Sequence, residues 1–163
     1  MKFNGIKKWL GLVALVITTI SFAQTSKYKT MIQMQNYTGK EAYLVISLIN
    51  PNGQYEKTLG ILGKDNEWYN TLKEWDKFNK KKKEKLNGIT GASVAGGARA
   101  TRVIEFDSNK LNKGYKLRFE SAVETQKYMV KDAEIPLTTA NLDNKAGIPG
   151  TGYIKTIRFI KVQ

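Results

Sequence analysis

The 163-residue sequence contains no cysteine and no histidine, and it contains only three prolines. Without cysteine no disulfide can form, so packing alone must stabilise the fold even in an oxidising compartment. The two absences also exclude Ser-His-Asp and Cys-His nucleophiles, and zinc sites with nitrogen or sulfur ligands. Acid–base chemistry is left to carboxylates, lysine, tyrosine and hydroxyl groups.

The first 23 residues have the pattern of a signal peptide. Three lysines stand among the first eight residues, an uncharged apolar run covers 9–20, and Ser21-Phe22-Ala23 places small residues where a signal peptidase reads. The apolar run is about 12 residues long, whereas a bilayer span needs roughly 17–25. We therefore predict cleavage after Ala23 and export of residues 24–163 as one domain, to the periplasm or another extracytoplasmic compartment. The alternative is an uncleaved N-terminal anchor.

The formal net charge of the precursor is +13, and loss of the three signal-peptide lysines leaves +10. A basic exported domain suits an anionic membrane face, a polyanion or a phosphorylated ligand, so peripheral membrane contact is one expectation. The alternative interpretation of most lysines is solubility alone. The lysine-rich run at 80–85 resembles a nucleic-acid patch, but export and the lack of an aromatic platform argue against a nucleic-acid partner.

Most of the chain has the pattern of β-strands. Residues 42–50 are apolar on both faces, which predicts a central strand covered on both sides. The turn at 50–53 then leads into a hairpin partner at 54–62. At 115–124 apolar residues alternate with charges, which predicts a half-buried strand with Glu120 and Glu124 on its exposed face. Further strands are predicted at 27–37, 101–106, 134–138 (an edge strand) and 153–162, with loops at 91–98 and 141–152.

One helix is predicted to begin near Glu67. Asp65 or Asn66 is suited to cap its start, and Asn87-Gly88 to end it. Its apolar face, which we interpret as core packing rather than as a cofactor site, consists of Trp68, Leu72, Trp75 and Phe78. Many strands, one helix and no βαβ rhythm predict a mainly β protein. The expected architecture is an antiparallel, immunoglobulin-like β-sandwich with one inserted α-helix after the first strands.

The tetrapeptide Thr90-Gly91-Ala92-Ser93 follows the predicted helix. Short Ser/Thr-Gly-Ala-Ser/Thr sequences are sites where a flavin transferase joins flavin mononucleotide (FMN) to a hydroxyl through a phosphodiester. The acceptor is the last hydroxyl residue of the pattern, here Ser93, and it must enter a second protein's active site. Small neighbours and a pliable backbone suit that requirement. The alternative is a flexible connection that happens to be rich in glycine and alanine.

Residues 27–163 resemble a predicted-periplasmic family called domain of unknown function 2271. The resemblance rests on Thr58-Leu59-Gly60 with Trp68, Leu72 and Trp75 following, on the segment 87–93, and on the segment 114–120 continuing to Glu124. The segment 87–93 also resembles the flavin-attachment motif of membrane-linked redox subunits, which runs from an acidic residue to Ser or Thr, Gly, Ala and an acceptor. Here Asn87 stands in the acidic position and Ser93 in place of the usual threonine. The resemblance implies an exported, flavinylated protein that works with a flavin transferase and a membrane redox protein.

Two functions from different classes remain open. The first is an exported carrier of covalent FMN in extracytoplasmic electron transfer, in which the flavin supplies the reactivity and the protein a platform. Its cofactor-binding residues would be Ser93, Thr90, Gly91, Ala92, Asn87 and Arg99. Lys83, Lys85 and Arg102 are further candidates near the phosphate, and Trp75 or Tyr69 for stacking on the flavin ring. The second is a non-catalytic periplasmic β-sandwich binding module without a cofactor.

An electron carrier or binding protein fits the sequence better than a stand-alone enzyme. Glu120 and Glu124 are the paired acids that a glycosidase would need, but positions i and i+4 of a strand lie about 13 Å apart. That separation is too large for either common glycosidase geometry. We therefore predict no catalytic and no metal-binding residues.

Overall fold

The structure of the protein is a computed structural model, which describes residues 24–162. The predicted signal peptide lies outside the described residues. Two α-helices, α1 (Lys73–Lys82) and α2 (Thr139–Leu142), and two 3₁₀ helices (Asn66–Thr71 and Ser108–Lys110) accompany eight strands. The strands are β1 (Thr25–Met34), β2 (Tyr43–Ile49), β3 (Tyr55–Leu62), β4 (Thr90–Gly91), β5 (Arg99–Asp107), β6 (Lys116–Ala122), β7 (Tyr128–Pro136) and β8 (Ile154–Lys161).

The strands form two sheets, with the orders β5-β1-β8 and β4-β3-β2-β6-β7. The prediction of a mainly β fold is confirmed. The prediction of a wholly antiparallel arrangement is wrong at one place, because β4 runs parallel to β3 with Ile61 opposite Thr90. Between those strands the chain crosses through α1, and a crossover of this kind returns a strand in the same direction. The immunoglobulin-like order is not confirmed, since the sheet order β4-β3-β2-β6-β7 includes a parallel pair, whereas both immunoglobulin sheets are antiparallel.

Two hydrophobic clusters lie on opposite sides of the five-stranded sheet. The larger cluster lies between the two sheets and includes Ile32, Ile46, Phe119 and Ile157. The smaller one lies between the five-stranded sheet and the 3₁₀ helix with α1, which we call the helical cover (residues 66–82). It consists of Val45, Ile61, Tyr69, Leu72, Trp75 and Ala122. Strand β2 contributes alternate residues to both clusters, and six of its seven residues are buried. The prediction of a central strand covered on both faces is therefore confirmed, as is its hairpin with β3 around the turn at Gly53.

The helical region differs from the single predicted helix. A 3₁₀ helix precedes α1, and the two are separated at Leu72, which has φ −86° and ψ 63°. Because a 3₁₀ helix has three residues per turn, the buried face shifts by one position. Tyr69 is buried where Trp68 was expected, and the Trp68 side chain is 38% exposed. Leu72 and Trp75 are fully buried as predicted.

The start of the helical segment agrees with the prediction, because Asp65 occupies the N-cap position of the 3₁₀ helix, but within residues 24–162 its side chain makes no capping hydrogen bond. The predicted C-terminal boundary is wrong. The C-terminal end is set by Lys83, which adopts a left-handed conformation (φ 54°) while its N–H donates to the Asn79 carbonyl. The helix thus ends several residues before Gly88, whose positive φ of 82° belongs to a separate turn.

Strand β6 is buried on both faces rather than half-buried. Glu120 is 0% exposed and Arg118 is 8% exposed, which overturns the prediction that this face meets solvent. The strand lies between β2 and β7, and the 3₁₀ helix and α1 cover the side of the five-stranded sheet that faces away from the other sheet. The edge strand predicted at 134–138 is β7, which begins six residues earlier, at Tyr128. The short helix α2 (Thr139–Leu142) overlaps the first two residues of the segment predicted as a loop, 141–152. In the described part of the chain, no helix is long and apolar enough to cross a bilayer.

Candidate functional site

Ser93 lies at one end of the five-stranded sheet, where two distant segments meet. Val94 and Ala42 form an isolated antiparallel bridge, with N–H to carbonyl distances of 2.8 and 3.0 Å. The Tyr37 hydroxyl donates to the Val94 carbonyl (2.6 Å) and accepts from the Ala42 N–H (2.9 Å). Because the bridge is antiparallel, Ser93 and Glu41 are diagonal neighbours on the same face, a separation that the long Glu41 side chain spans.

The Ser93 hydroxyl donates a hydrogen bond to the Glu41 carboxylate. Ser93 is half-buried and Glu41 is exposed, so both groups remain within reach of solvent. The motif reading missed Glu41, because this residue precedes Ser93 by 52 positions and belongs to no local pattern. A carboxylate is therefore present at the predicted acceptor, although position 87 of the motif is an asparagine.

A cavity of about 260 Å³ opens beside Ser93. It is lined by Lys40, Glu41, Tyr43, Trp68, Thr71, Ser93 and Glu124. Pockets that bury a whole drug-sized ligand have volumes of roughly 300–1,000 Å³. The cavity therefore suits part of a larger group, such as one face of an aromatic ring, with the remainder in solvent. Trp68 supplies a partly exposed indole to the wall, and Lys40 supplies a positive charge.

The other motif residues are placed around Ser93 as follows. Thr90 and Gly91 form β4, rather than the start of a loose loop, and Gly91 pairs with Leu62 of β3. A Cβ atom on Gly91 would lie 3.2 Å from Leu62 Cδ2, which leaves little room for a larger residue. Ala92 is exposed. Asn87 and Thr90 line a neighbouring groove next to the 3₁₀ helix, outside the cavity that holds Ser93.

The predicted cationic residues lie in different places. Arg102 donates to the carbonyls of Gly88 (2.5 Å) and Thr90 (3.3 Å), so it holds the backbone that leads to the acceptor. Its side chain passes over Gly60, where a Cβ atom would come within 2.8 Å of Arg102 Cγ. Arg99 lines a groove on the three-stranded sheet instead of the Ser93 cavity. Lys83 and Lys85 are exposed at the end of the helix, and the cation that lines the cavity is Lys40.

Trp75 and Tyr69 are unsuited to stack on a ligand. Trp75 is 0% exposed and Tyr69 is 7% exposed, so the prediction that either residue flanks a flavin ring is wrong. The Trp75 indole N–H donates to the Thr58 hydroxyl at 2.8 Å. Thr58 in turn donates to the Glu84 carboxylate at 2.5 Å, which fastens the segment after α1 to β3. The aromatic side chains at the cavity wall are Tyr43 and Trp68, of which Trp68 is the more exposed.

The carboxylate of Glu120 is buried beneath α1, although the sequence pattern predicted it on an exposed face. Glu120 accepts hydrogen bonds from the hydroxyls of Tyr55 (2.5 Å) and Tyr128. The Tyr128 hydroxyl in turn accepts from the Glu74 backbone N–H in the first turn of α1 at 3.0 Å. The N-cap residue of α1 is Leu72, whose side chain has no acceptor, so the sheet supplies one of the acceptors that the helix terminus needs. Burial raises the pKa of Glu120, and this effect outweighs the opposing effect of the tyrosine hydrogen bonds.

Glu120 and its two tyrosine partners form a polar layer beneath α1, and the ion pair of Arg118 with Glu134 extends this layer toward the edge of the sheet. The Arg118 guanidinium lies 4.9 Å from the centre of the Tyr55 ring and 2.8 Å from the Glu134 carboxylate. Lys116 also contacts Glu134 at 2.9 Å. Burial alone would raise the pKa of Glu134, but the hydrogen bonds from Lys116 and Arg118 lower it below its ordinary value. The layer is internally satisfied, which indicates a structural role.

A second buried carboxylate, Asp132, connects the two sheets. It accepts from the Ser121 hydroxyl at 2.5 Å and from the backbone N–H groups of Thr151, Gly152, Tyr153 and Ile154 at 2.7–3.1 Å. These donors hold the start of β8 against β7. Among residues 24–162, no group of three or more acidic residues is arranged to hold a metal ion.

The chain is thus a basic, mainly β protein of two sheets, in which the Ser93 hydroxyl and the Glu41 carboxylate form a solvent-facing pair at the end of one sheet. The chain belongs to the DUF2271 family of predicted periplasmic proteins, whose family model matches residues 25–156. The protein is accordingly placed in the periplasm. No curated protein and no solved structure matches this chain.

Proposed function

We propose that this protein is an exported carrier of covalently bound FMN, attached at Ser93, and that it takes part in extracytoplasmic electron transfer. The observation that carries the proposal is the environment of the Ser93 hydroxyl. It is hydrogen-bonded to a carboxylate and opens onto a cavity with an exposed indole. The two-sheet fold serves as a rigid platform for this end of the molecule.

Attachment would be a phosphoryl transfer catalysed by a flavin transferase, with flavin adenine dinucleotide as the donor. The Ser93 oxygen attacks the phosphorus that carries riboflavin, the P–O bond of the pyrophosphate breaks, and adenosine monophosphate leaves. Glu41 is positioned to accept the Ser93 proton. No atom is oxidised or reduced in this step, and the product is a phosphodiester that keeps one negative charge.

The residues around Ser93 fit the attached group. Ala92 and Ala95 are small and exposed, which favours entry of the acceptor into the active site of a transferase. Lys40 lines the cavity and would offset the charge of the phosphodiester. Trp68 offers an indole face for stacking on the isoalloxazine ring. The flavin would accept electrons from a membrane redox protein and pass them to a second redox partner.

The test is intact-protein mass spectrometry of the processed, denatured protein from its native envelope. We expect a mass increase of one FMN unit that maps to the peptide containing Ser93. Ser93→Ala should remove the adduct and Ser93→Thr should retain it, because threonine keeps the acceptor hydroxyl. Thr101→Ala, an exposed hydroxyl on the other sheet, is the matched control. An unmodified mass from cells that flavinylate other proteins would contradict the proposal.

A second candidate function is a periplasmic binding module without a cofactor. The observation that favours it is Asn87, which stands where the flavin-attachment motif has an acid and which lies outside the Ser93 cavity. This alternative predicts an unmodified protein mass and a partner that crosslinks to the protein in the envelope. The same mass measurement therefore distinguishes the two functions.

A further inference from the structure

The three-stranded sheet has one face against the core and one face in solvent. Tyr28, Ile32, Ile104 and Ile157 point inward and are buried. We call the opposite side the outer face; its side chains are those of Thr25, Lys27, Lys29, Met31, Gln33, Arg99, Thr101, Val103, Glu105, Asp107, Thr156, Arg158 and Ile160. The helical cover lies on the far side of the five-stranded sheet, so the outer face points away from it.

Large apolar side chains are exposed on the outer face. Val103 is 47% exposed and Ile160 is 50% exposed. Both are the cross-strand partners of Lys29, so the three side chains form one row across the sheet. Val162, directly after β8, is 37% exposed, and its N–H donates to the Lys27 carbonyl. This sheet therefore carries three of the four exposed large apolar side chains in the described residues.

The outer face is also basic. It has four cations, Lys27, Lys29, Arg99 and Arg158, against two acids, Glu105 and Asp107. Glu105 is paired with Lys27 at 2.9 Å, and Asp107 lies at the end of the face, where its carboxylate accepts from the Asn109 N–H at 2.9 Å. At one end of the face a groove of about 460 Å³ is lined by Arg99, Arg158 and Lys155, together with residues of β1 and β5. Three cations around one groove favour an anionic group of the size of a phosphate.

We propose that the outer face docks the protein onto a membrane surface that contains anionic phospholipids, with a headgroup phosphate in the groove between Arg99 and Arg158. The aliphatic side chains of Val103 and Ile160 enter the interface between headgroups and acyl chains, while the Lys29 ammonium extends to the phosphates. Docking in this orientation directs the helical cover, and with it the Ser93 cavity, away from the bilayer.

The composition of the face favours a lipid surface over a protein partner. Protein interfaces are depleted in lysine and concentrate their apolar residues in a desolvated core. On the outer face, by contrast, each aliphatic residue stands beside a cation. Mobile anionic lipids can place a charge next to every cation, and each lysine or arginine near such a surface strengthens binding about fivefold.

The test uses the processed protein and sedimentation with vesicles of phosphatidylcholine, with or without phosphatidylglycerol. We expect binding only to the anionic vesicles, weakened by added salt. The variant Lys29→Gln/Arg99→Gln/Arg158→Gln should lower the partition coefficient roughly 100-fold. The matched control, Lys73→Gln/Lys81→Gln/Lys82→Gln in α1, removes the same charge from another exposed surface and should change binding less than about threefold.

A second variant tests the apolar contribution without changing the charge. Val103→Ser/Ile160→Ser should weaken binding to anionic vesicles severalfold, because less aliphatic surface enters the interface. Equal losses in the two triple variants would overturn the proposal, since net charge alone would then explain binding. Equal binding to both kinds of vesicle would also overturn it. A third outcome would overturn it as well: dimerisation of the protein without vesicles that is abolished in Lys29→Gln/Arg99→Gln/Arg158→Gln. The outer face would then bind a second copy of the chain.

Discussion

The carboxylates of Glu120 and Glu41 both accept hydrogen bonds from hydroxyl groups, yet their surroundings are opposite. Glu120 is 0% exposed beneath α1 and accepts from Tyr55 and Tyr128. Glu41 is exposed at the rim of a cavity and accepts from Ser93. The same pair of functional groups therefore serves stability in one region and remains available for chemistry in the other. Burial decides which, because only the exposed pair can exchange its partner for water or for another molecule.

The largest effect is expected from Glu120→Ala. The substitution leaves the half-buried hydroxyls of Tyr55 and Tyr128 without their acceptor, and each unsatisfied group costs about 1–3 kcal/mol. We expect the free energy of unfolding to fall by about 3–5 kcal/mol in urea titrations. Glu41→Ala is the matched control at the exposed pair, and it should change the same quantity by less than about 0.5 kcal/mol. Comparable losses in both variants would remove the distinction between the two regions.

A smaller loss is expected from Thr58→Val at the other attachment point of α1. The hydroxyl of Thr58 accepts from the Trp75 indole and donates to Glu84, and the residue is 2% exposed. Valine keeps the shape but leaves the indole N–H without an acceptor, so the free energy of unfolding should fall by about 1–3 kcal/mol. Thr101→Val on the exposed face of β5 should be neutral. A neutral Thr58→Val would indicate that packing alone holds the helix.

The pH dependence of stability sharpens the comparison within the buried layer. The pKa of Glu120 is raised above its ordinary value of 4.5, so the part of its stabilising contribution that depends on protonation is complete below that pH and is lost as pH rises through the pKa of the folded state. The difference in the free energy of unfolding between the wild type and Glu120→Gln should therefore fall as pH rises above 4.5.

Glu134 provides a control of opposite sign on the same face of the sheet. Its pKa is lowered, so its contribution is present above 4.5 and is lost as pH falls through the pKa of the folded state. The difference between the wild type and Glu134→Gln should accordingly rise with pH over the acid range. Urea unfolding of the wild type, Glu120→Gln and Glu134→Gln across this pH range checks both signs. If the two differences changed in the same direction with pH, the opposite pKa shifts of Glu120 and Glu134 would be contradicted.

The smallest effect on stability is expected at Ser93. Replacing its hydroxyl with hydrogen in Ser93→Ala removes one partly exposed hydrogen bond, so the free energy of unfolding should change by less than about 0.5 kcal/mol. Thermal unfolding checks this value on protein produced without flavin transferase. A loss as large as that of Glu120→Ala would show that the Glu41–Ser93 pair is structural.

Much of the sheet structure was predictable because it depends on neighbouring residues. The two-sided apolar pattern of β2 and the turn at Gly53 correctly predicted a central strand and its hairpin partner. The pattern of β6 misled, because alternating charges have the same sequence signature whether they face solvent or a polar layer beneath a helix. The buried face of the first helical turns shifted by one residue, because that segment is a 3₁₀ helix in which Tyr69 takes the place of Trp68 in the core.

The candidate site was only half predictable. The tetrapeptide pointed to Ser93, whereas Glu41, Lys40 and Trp68 belong to segments that no local pattern connects with it. The choice of Trp75 as a stacking partner failed for the same reason. Helical spacing identifies which residues share a face, but the element packed against that face determines whether a ligand can reach them.

The sequence by itself determined the absence of disulfides and of histidine chemistry, the basic charge, the mainly β fold and the position of the motif. Tertiary structure alone decided that Glu120 is buried, that Glu41 meets Ser93 across 52 residues, and that the cations and aliphatic residues of three strands share one outer face. The physical reason is range. Alternation, turn geometry and charge act between residues close in the chain, whereas burial and pairing depend on which distant element covers each surface.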